Sequence, residues 1–303
     1  LGQNTYTSSG SVAIGYFVLG DVSTGAMNVG IGYRAGKSIL TGYSNVIIGE
    51  DAGRQITTAR ENVIIGANAY ESANSSENFA VVIGYNAANL LDGIDNVVAI
   101  GHSALSTMVA VDGNTAVGFE AGKITTGASN TYVGHSAGKG ASGADTGNVG
   151  VGTSALLSIT SGENNIAVGH LALDALTDGD LNVAIGTSAL SAYNGNAAVA
   201  IGREALRDLN NTGALGTIGI GQGAGASLTS GGRNTAIGYQ ALGSATELTH
   251  NIAIGWQTMK DSSATTSHRN IGIGSFVMDS IGANVANDNV AMGYNNLTNL
   301  STG

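Results

Sequence analysis

The chain has 303 residues, of which 48 are glycine and none is proline or cysteine. Hydrophobic residues make up 43% and charged residues only 11%, which excludes a disordered chain, and the missing proline excludes a collagen rod. The formal charge of −10 and the lack of any long apolar run predict that neither nucleic acid nor membrane insertion is involved.

One short phrase recurs from one end of the chain to the other: Asn, three small or aliphatic residues, then Gly. It occurs, for example, as Asn45 to Gly49, Asn114 to Gly118 and Asn182 to Gly186. We call its last residue the register glycine. An uninterrupted repeat predicts a single solenoid domain over residues 1–303. The 17 register glycines follow at intervals of 16 to 19 residues: Gly15, Gly32, Gly49, Gly66, Gly84, Gly101, Gly118, Gly134, Gly152, Gly169, Gly186, Gly202, Gly221, Gly238, Gly255, Gly274 and Gly293.

The first position of the phrase, four residues before the register glycine, is Asn in 12 of the 17 repeats. We call the set of residues at one position in all repeats a column, and this one the asparagine column. A carboxamide both donates and accepts hydrogen bonds, and Asn tolerates turn conformations. We therefore expect copies such as Asn165 and Asn182 to form a hydrogen-bonded ladder at a corner of the stacked coils.

The next three residues are predicted to form a short strand. Two flanking columns, three and one positions before the register glycine, hold Val, Ile or Thr, and Met only at Met292. Residues two apart on a strand share a face, so we expect both columns to point into the core. The central column between them is mostly Ala or Gly, which predicts that a neighbouring subunit covers this second face. Its larger exceptions are Ile47, Ile64, Val82 and Tyr132.

After the register glycine, the third residue is Ala in 13 repeats, the fourth is often Leu or Gly, and an aliphatic residue follows near the seventh. Ala172, Leu173 and Leu176 show this spacing, which is helical and competes with a second strand. Coils stacked about 4.8 Å apart leave no room for a helix about 10 Å wide. The segment is therefore predicted to be a tight turn or a short 3₁₀ piece at most.

Together these columns predict an all-β fold, a parallel β-solenoid or β-roll of about 17 coils with a 17-residue repeat. Coils this small bury little core per residue, so lateral association would stabilise them. We expect a homotrimer.

The repeats Asn28 to Gly36 and Asn234 to Leu242 resemble those of bacteriophage tail fibres, especially from marine and cyanobacterial phages. Such fibres often end in an intramolecular chaperone of the endosialidase type. The shorter Asn-x-Val/Ala-Ile-Gly core is similar to the head repeats of trimeric autotransporter adhesins, which form trimeric β-rolls. Both resemblances imply a trimeric surface protein. The period here is longer than that of the adhesin heads, and the start at Leu1 suggests an excerpt of a longer chain.

The position directly after the register glycine, the ring column, gathers many of the rings of the chain. On a solenoid these rings would form a discontinuous stripe along one edge, a platform for a receptor or for sugar rings. The alternative is that they pack over the corner or against a subunit. The candidates are Tyr16, Tyr33, Tyr85, His102, Phe119, His135, His170, Tyr239, Trp256 and Tyr294.

No metal site, cofactor or catalytic residue is predicted. The histidines of the ring column lie two coils apart, about 10 Å by strand spacing, too far to share one ion. Glycan cleavage needs two carboxylates about 5 to 10 Å apart, whereas Glu50 and Asp51, Glu120, and Glu204 lie four or five coils from one another.

The sequence thus predicts a non-enzymatic structural and adhesive fibre segment, virion-associated, extracellular or on a cell surface. Its expected partners are further copies of itself and a host-cell receptor or glycan. A bacterial surface adhesin or self-assembling extracellular filament is the alternative, and a polysaccharide-degrading tailspike is a weaker one.

Overall fold

The computed structural model describes residues 10–71, 78–90, 95–107, 112–140, 143, 145–210, 215–261, 267–281 and 287–300. Over these residues the chain is an all-β parallel β-solenoid of about 15–17 coils with a 17-residue repeat and no helix. The predicted fold class is confirmed, while the trimer and the single domain stay predictions. The chain divides into two compact units, Leu1–Asn148 and Val149–Gly303.

The first unit contains eight strands of three residues, each paired in parallel with the next. Partners lie one repeat apart, as Val46 and Val63 do. Every coil thus contributes one strand to a parallel sheet. The strands are β1 (Val12–Ile14), β2 (Val29–Ile31), β3 (Val46–Ile48), β4 (Val63–Ile65), β5 (Val81–Ile83), β6 (Val98–Ile100), β7 (Thr115–Val117) and β8 (Thr131–Val133).

The second unit repeats this arrangement and adds a small two-stranded sheet, β17 with β19. Its strands are β9 (Val149–Val151), β10 (Ile166–Val168), β11 (Val183–Ile185), β12 (Val199–Ile201), β13 (Ile218–Ile220), β14 (Thr235–Ile237), β15 (Ile252–Ile254), β16 (Ile271–Ile273), β17 (Ser280–Ile281), β18 (Val290–Met292) and β19 (Asn299–Leu300).

The predicted inward face of the strands is wrong. The central column is buried in β2 to β16, and the flanking columns are half-buried or exposed. The reason is space, because the turn side chains already fill the narrow coil interior. A Cβ on Gly219 would lie 2.7 Å from Cγ of Leu206. Each of these strands places its central residue, which is small in most coils, inside, and the residues of the flanking columns face outward. The central column is buried within its own chain rather than by a neighbouring subunit, contrary to expectation.

Two of the large residues in the central column, Ile47 and Tyr132, lie in coils that carry glycine at the fourth position of the turn. Ile47 shares its coil with Gly53, and Tyr132 shares its coil with Gly138. A Cβ on Gly138 would collide with the Tyr132 ring, and one on Gly53 would meet Ile47 at 3.5 Å. In these two coils the glycine leaves the space that the large central side chain occupies.

The segment after the register glycine is a turn, as predicted, with residues of positive φ at its second and fourth positions. In one coil these are Leu171 at 55° and Leu173 at 50°. The Leu171 N–H donates to the preceding coil and the Leu173 N–H to the following one, both at 3.1 Å. The alternating backbone therefore bonds in both directions, and the helical spacing of Ala172, Leu173 and Leu176 produces no helix.

The register glycine is required by both its backbone angle and its close approach to the next coil. Gly169 has φ of 137°, and a Cβ there would lie 2.6 Å from the carbonyl oxygen of Gly186. Residues that carry a side chain rarely adopt this backbone conformation. Glycine at this column allows adjacent coils to stack in direct contact.

The asparagine ladder is confirmed. Nδ2 of Asn182 donates to Oδ1 of Asn165 at 3.0 Å and to the Gly195 carbonyl at 2.7 Å. Its Oδ1 accepts the backbone N–H of Ala198 at 2.9 Å. The same pattern links Asn28 and Asn45 in the first unit. These fully buried amides close one corner of each coil.

Candidate recognition surface

The ring column lies on an exposed edge because the register glycine turns the chain away from the core. Across the described residues its rings are at least partly exposed, whereas the alanine two positions further on is buried. Rings on successive coils are brought face to face, because coils with equal backbone geometry place equal positions about one strand spacing apart.

In the first unit the rings form two groups. Tyr16 and Tyr33 stack with centroids 5.8 Å apart and planes 4° from parallel. The second group is a continuous run, Tyr85, His102, Phe119 and His135, with successive centroids separated by 5.1, 5.1 and 5.0 Å. Six predicted candidates thus form two stacks.

In the second unit the predicted candidates are less continuous. Tyr239 stacks on Trp256 with centroids 4.2 Å apart and planes at 19°, and Trp256 is 49% exposed. Tyr294 contacts Phe276 edge-on at 6.1 Å. His170 is exposed, but the next coil carries Thr187 at the same position, so no ring continues the stack there.

Several contributors were missed by the sequence analysis because they lie at the second position after the register glycine. Phe17 contacts Tyr16 edge-on at 4.4 Å, and the Arg34 guanidinium lies 4.6 Å from the centre of the Tyr33 ring. Arg34 also pairs with Asp51 at 2.6 Å, which raises the Arg34 pKa. Arg34 and Asp51 lie one period apart, so comparing the same position in successive repeats would have indicated that pair.

Three of the four acids considered for glycan cleavage, Asp51, Glu120 and Glu204, lie in ion pairs. Glu120 lies 2.5 Å from Lys123 and 2.6 Å from Lys139, and these hydrogen bonds lower its pKa to about 2. Glu204 lies 3.2 Å from Arg203 and 3.4 Å from Arg207. A carboxyl group with a lowered pKa is a poor general acid, which disfavours Glu120 in that role.

A cleft of about 340 Å³ opens beside the ring column in the second unit. Arg203, Glu204 and Gln222 line it on one side, and Tyr239 and Gln240 on the other. The cleft could not be found from the sequence, because its small lining residues Ala226 and Gly243 lie one repeat apart and become neighbours only when the coils stack. It combines an aromatic wall with hydrogen-bonding side chains.

A buried carboxyl group lies inside the first unit. Asp145 is 2% exposed and accepts a hydrogen bond from the Tyr132 hydroxyl at 2.6 Å. Burial raises the Asp145 pKa from 3.8 to about 6, although the bonds from Tyr132 and the Gly127 N–H oppose this. It lies away from the ring column, and we treat it as part of the core.

Within the described ranges, no group of three or more His, Asp or Glu side chains lies close enough to hold a metal ion. Nor does the described part of the chain contain a helix long and apolar enough to cross a membrane. No family model, curated protein or solved structure matches the chain.

Proposed function

We propose that the chain is a structural and adhesive fibre segment, a rigid homotrimeric shaft or head on a virion or outside a cell. In this proposal it presents its ring column to a host-cell receptor or glycan and catalyses no reaction. The single observation that carries the proposal is the stacking of exposed rings on successive coils. Rings held at fixed spacing lose little conformational entropy on binding, which favours recognition.

The ends of each ring stack provide the free ring faces. Inside a stack, as at His102, both faces are covered by neighbouring rings. Tyr85 is preceded in its column by Ala67 and Trp256 is followed by Ser275, which are too small to cover a ring. The apolar face of a sugar or a receptor side chain would stack on these terminal rings.

Attachment is tested by removing the stack in the second unit. Labelled chain is incubated with a panel of bacterial cells and purified surface polysaccharides, and the double variant Tyr239→Ala with Trp256→Ala is expected to lose attachment. The control Thr187→Ala changes an exposed residue of the same column that carries no ring. Attachment unchanged in a folded double variant would eliminate this stack as the recognition surface.

Self-association is supported by the outward β-branched face of the sheet. The two flanking columns contain no charged residue in any repeat, and Ile166 is still 40% exposed. A continuous aliphatic surface of this kind is typical of an interface between copies. The stoichiometry of three follows from the resemblance to trimeric adhesin heads and to tail fibres.

Light scattering tests the trimer, since three chains of 30.0 kDa give about 90 kDa. The double variant Ile185→Lys with Ile201→Lys places two charges on adjacent strands of the outward face, and we expect it to be monomeric. Thr153→Lys with Thr187→Lys adds equal charge on the ring column as control. A wild-type chain that remains a folded monomer would contradict the trimer.

The alternative is a bacterial surface adhesin or a self-assembling extracellular filament, for which stacked exposed rings and an aliphatic outward face would serve equally well. The complete gene distinguishes them: a terminal chaperone domain indicates a phage fibre and a membrane-anchor barrel an adhesin.

A further inference from the structure

The cleft in the second unit is built by a two-coil gap in one column of long side chains. The fifth position after the register glycine carries Arg207, then Ala226, Gly243 and finally Lys260. The two small residues form the floor, and the two long cations lie at its ends. Three coil spacings, about 14 Å, separate the ends, so the gap has the length of one or two sugar rings.

Tyr239 lines one wall of the cleft. One face of its ring is covered by Trp256 at 4.2 Å, which fixes the plane of the ring. The preceding coil places Gln222 rather than a ring at this column. Tyr239 is therefore the terminal ring of its stack and borders the cleft, where a sugar ring could stack on it.

Several polar side chains of the cleft are held in place by hydrogen bonds and ion pairs. Arg207 donates to both carboxylate oxygens of Asp208, at 2.8 and 2.7 Å, and Glu204 lies beside both Arg203 and Arg207. The Gln257 amide donates to Gln240 at 3.0 Å and orients it.

Two of the three cations of the cleft, Arg203 and Arg207, are already paired with carboxylates. The two arginines face Glu204 and Asp208, and the Lys260 charge partly offsets the burial that raises the Asp279 pKa. A carboxylate on a ligand would find the Arg207 guanidinium already bound to Asp208, and Glu204 would repel it. Hydroxyl pairs, which both donate and accept, fit this arrangement better.

We propose that this cleft binds a neutral hexose unit of a surface glycan, stacked on Tyr239 and hydrogen-bonded by Gln222, Gln240 and Glu204. The inference rests on the proposed adhesive function and gives its ligand class.

The test uses the single tryptophan as a reporter, because Trp256 covers the opposite face of Tyr239. The full chain is titrated with short oligosaccharides of glucose, galactose and mannose, and with the matching uronic acids. We expect a neutral oligosaccharide to change Trp256 fluorescence and to bind at least 10-fold more tightly than its uronic counterpart.

Two variants localise the binding. Ala226→Tyr fills the floor, with Ser191→Tyr as the matched control at the same position of a coil outside the cleft, and Gln222→Leu removes an amide without adding bulk. We expect Ala226→Tyr and Gln222→Leu each to weaken binding at least 10-fold and Ser191→Tyr to leave it unchanged, with far-UV circular dichroism confirming the fold.

Three results would overturn the inference: tighter binding of a uronic acid, unchanged binding in both cleft variants, or no binding of any saccharide. None of these decides the proposed function, because attachment to cells through the ring column is measured separately. Failure of the wild-type chain to attach to any of the cells or polysaccharides would refute the adhesive function itself.

Discussion

Replacing Asn182 by Ala should destabilise the solenoid strongly, because this residue is a central member of the asparagine ladder. The substitution removes two hydrogen bonds donated by its amide, to Asn165 and Gly195, and one accepted from Ala198. All of these groups lie at a corner where Asn182 is fully buried.

The size of the destabilisation follows from the two polar groups that lose their hydrogen bond to the Asn182 side chain. The Gly195 carbonyl and the Ala198 N–H each lose the Asn182 side chain, and an unsatisfied buried group costs about 1 to 3 kcal/mol. Two such groups give a loss of about 2 to 6 kcal/mol, a large fraction of the about 5 to 15 kcal/mol that stabilises typical proteins.

Guanidinium unfolding followed by far-UV circular dichroism measures the effect as a shift in midpoint. Asn210→Ala is the control, since Asn210 is exposed and outside the ladder. Asn182→Thr should recover part of the loss, because Thr217 occupies this column naturally and its hydroxyl donates to the Gly231 carbonyl at 3.5 Å. Equal midpoints for Asn182→Ala and Asn210→Ala would refute the stabilising role of the ladder.

Two further predictions concern the backbone and pH. Gly169→Ala should cost at least about 3 kcal/mol in the unfolding assay, because its φ of 137° and the Gly186 carbonyl at 2.6 Å both oppose a Cβ. Gly216→Ala, where φ is 68° and nothing lies within 4 Å, should cost only about 1 to 2 kcal/mol, and equal losses would contradict this reasoning. Because the folded Asp145 pKa of about 6 exceeds its ordinary 3.8, the native state binds the proton more tightly, and the unfolding free energy should rise by about 2 kcal/mol from this group as pH falls from 7 to 4. Asp145→Asn should abolish that contribution, and an unchanged pH profile would show that the Asp145 carboxyl is not buried as described.

The repeat, the strands, the turn and the asparagine ladder could all be predicted from the sequence. Each depends on residues that recur in one column, such as Asn165 and Asn182, and a column of identical residues becomes a row of contacts when coils stack. The repeated columns alone, without the resemblance to tail fibres, predict these features.

The inward face could not be predicted from the strand alone. A period of two establishes that Val183 and Ile185 share a face, but not whether that face points inward. The choice is made by Leu190 and other turn residues, which reach the same interior from positions several residues away and leave space only for Ala184. The helical spacing within the predicted turn has a related origin, because buried Leu at positive φ reproduces that spacing without a helix.

The ring column was predicted as a stripe, and the structure resolves it into separate stacks. What the sequence did not predict is where ring faces remain open, because that depends on the small residues of the neighbouring coils. The cleft beside Tyr239 arises in the same way, from Ala226 and Gly243 at one position of two successive repeats.

The direct stacking of successive coils is tested most directly by disulfide cross-linking in this cysteine-free chain. Ile166 and Val183 are register partners on adjacent strands, so their Cα atoms lie within the distance that a disulfide spans. Val199 is one strand further, about 9.6 Å from Ile166 by strand spacing, beyond that distance. Under mild oxidation, Ile166→Cys with Val183→Cys should form an intramolecular disulfide, and Ile166→Cys with Val199→Cys should not. Equal cross-linking of both pairs, or of neither, would contradict the stacked solenoid.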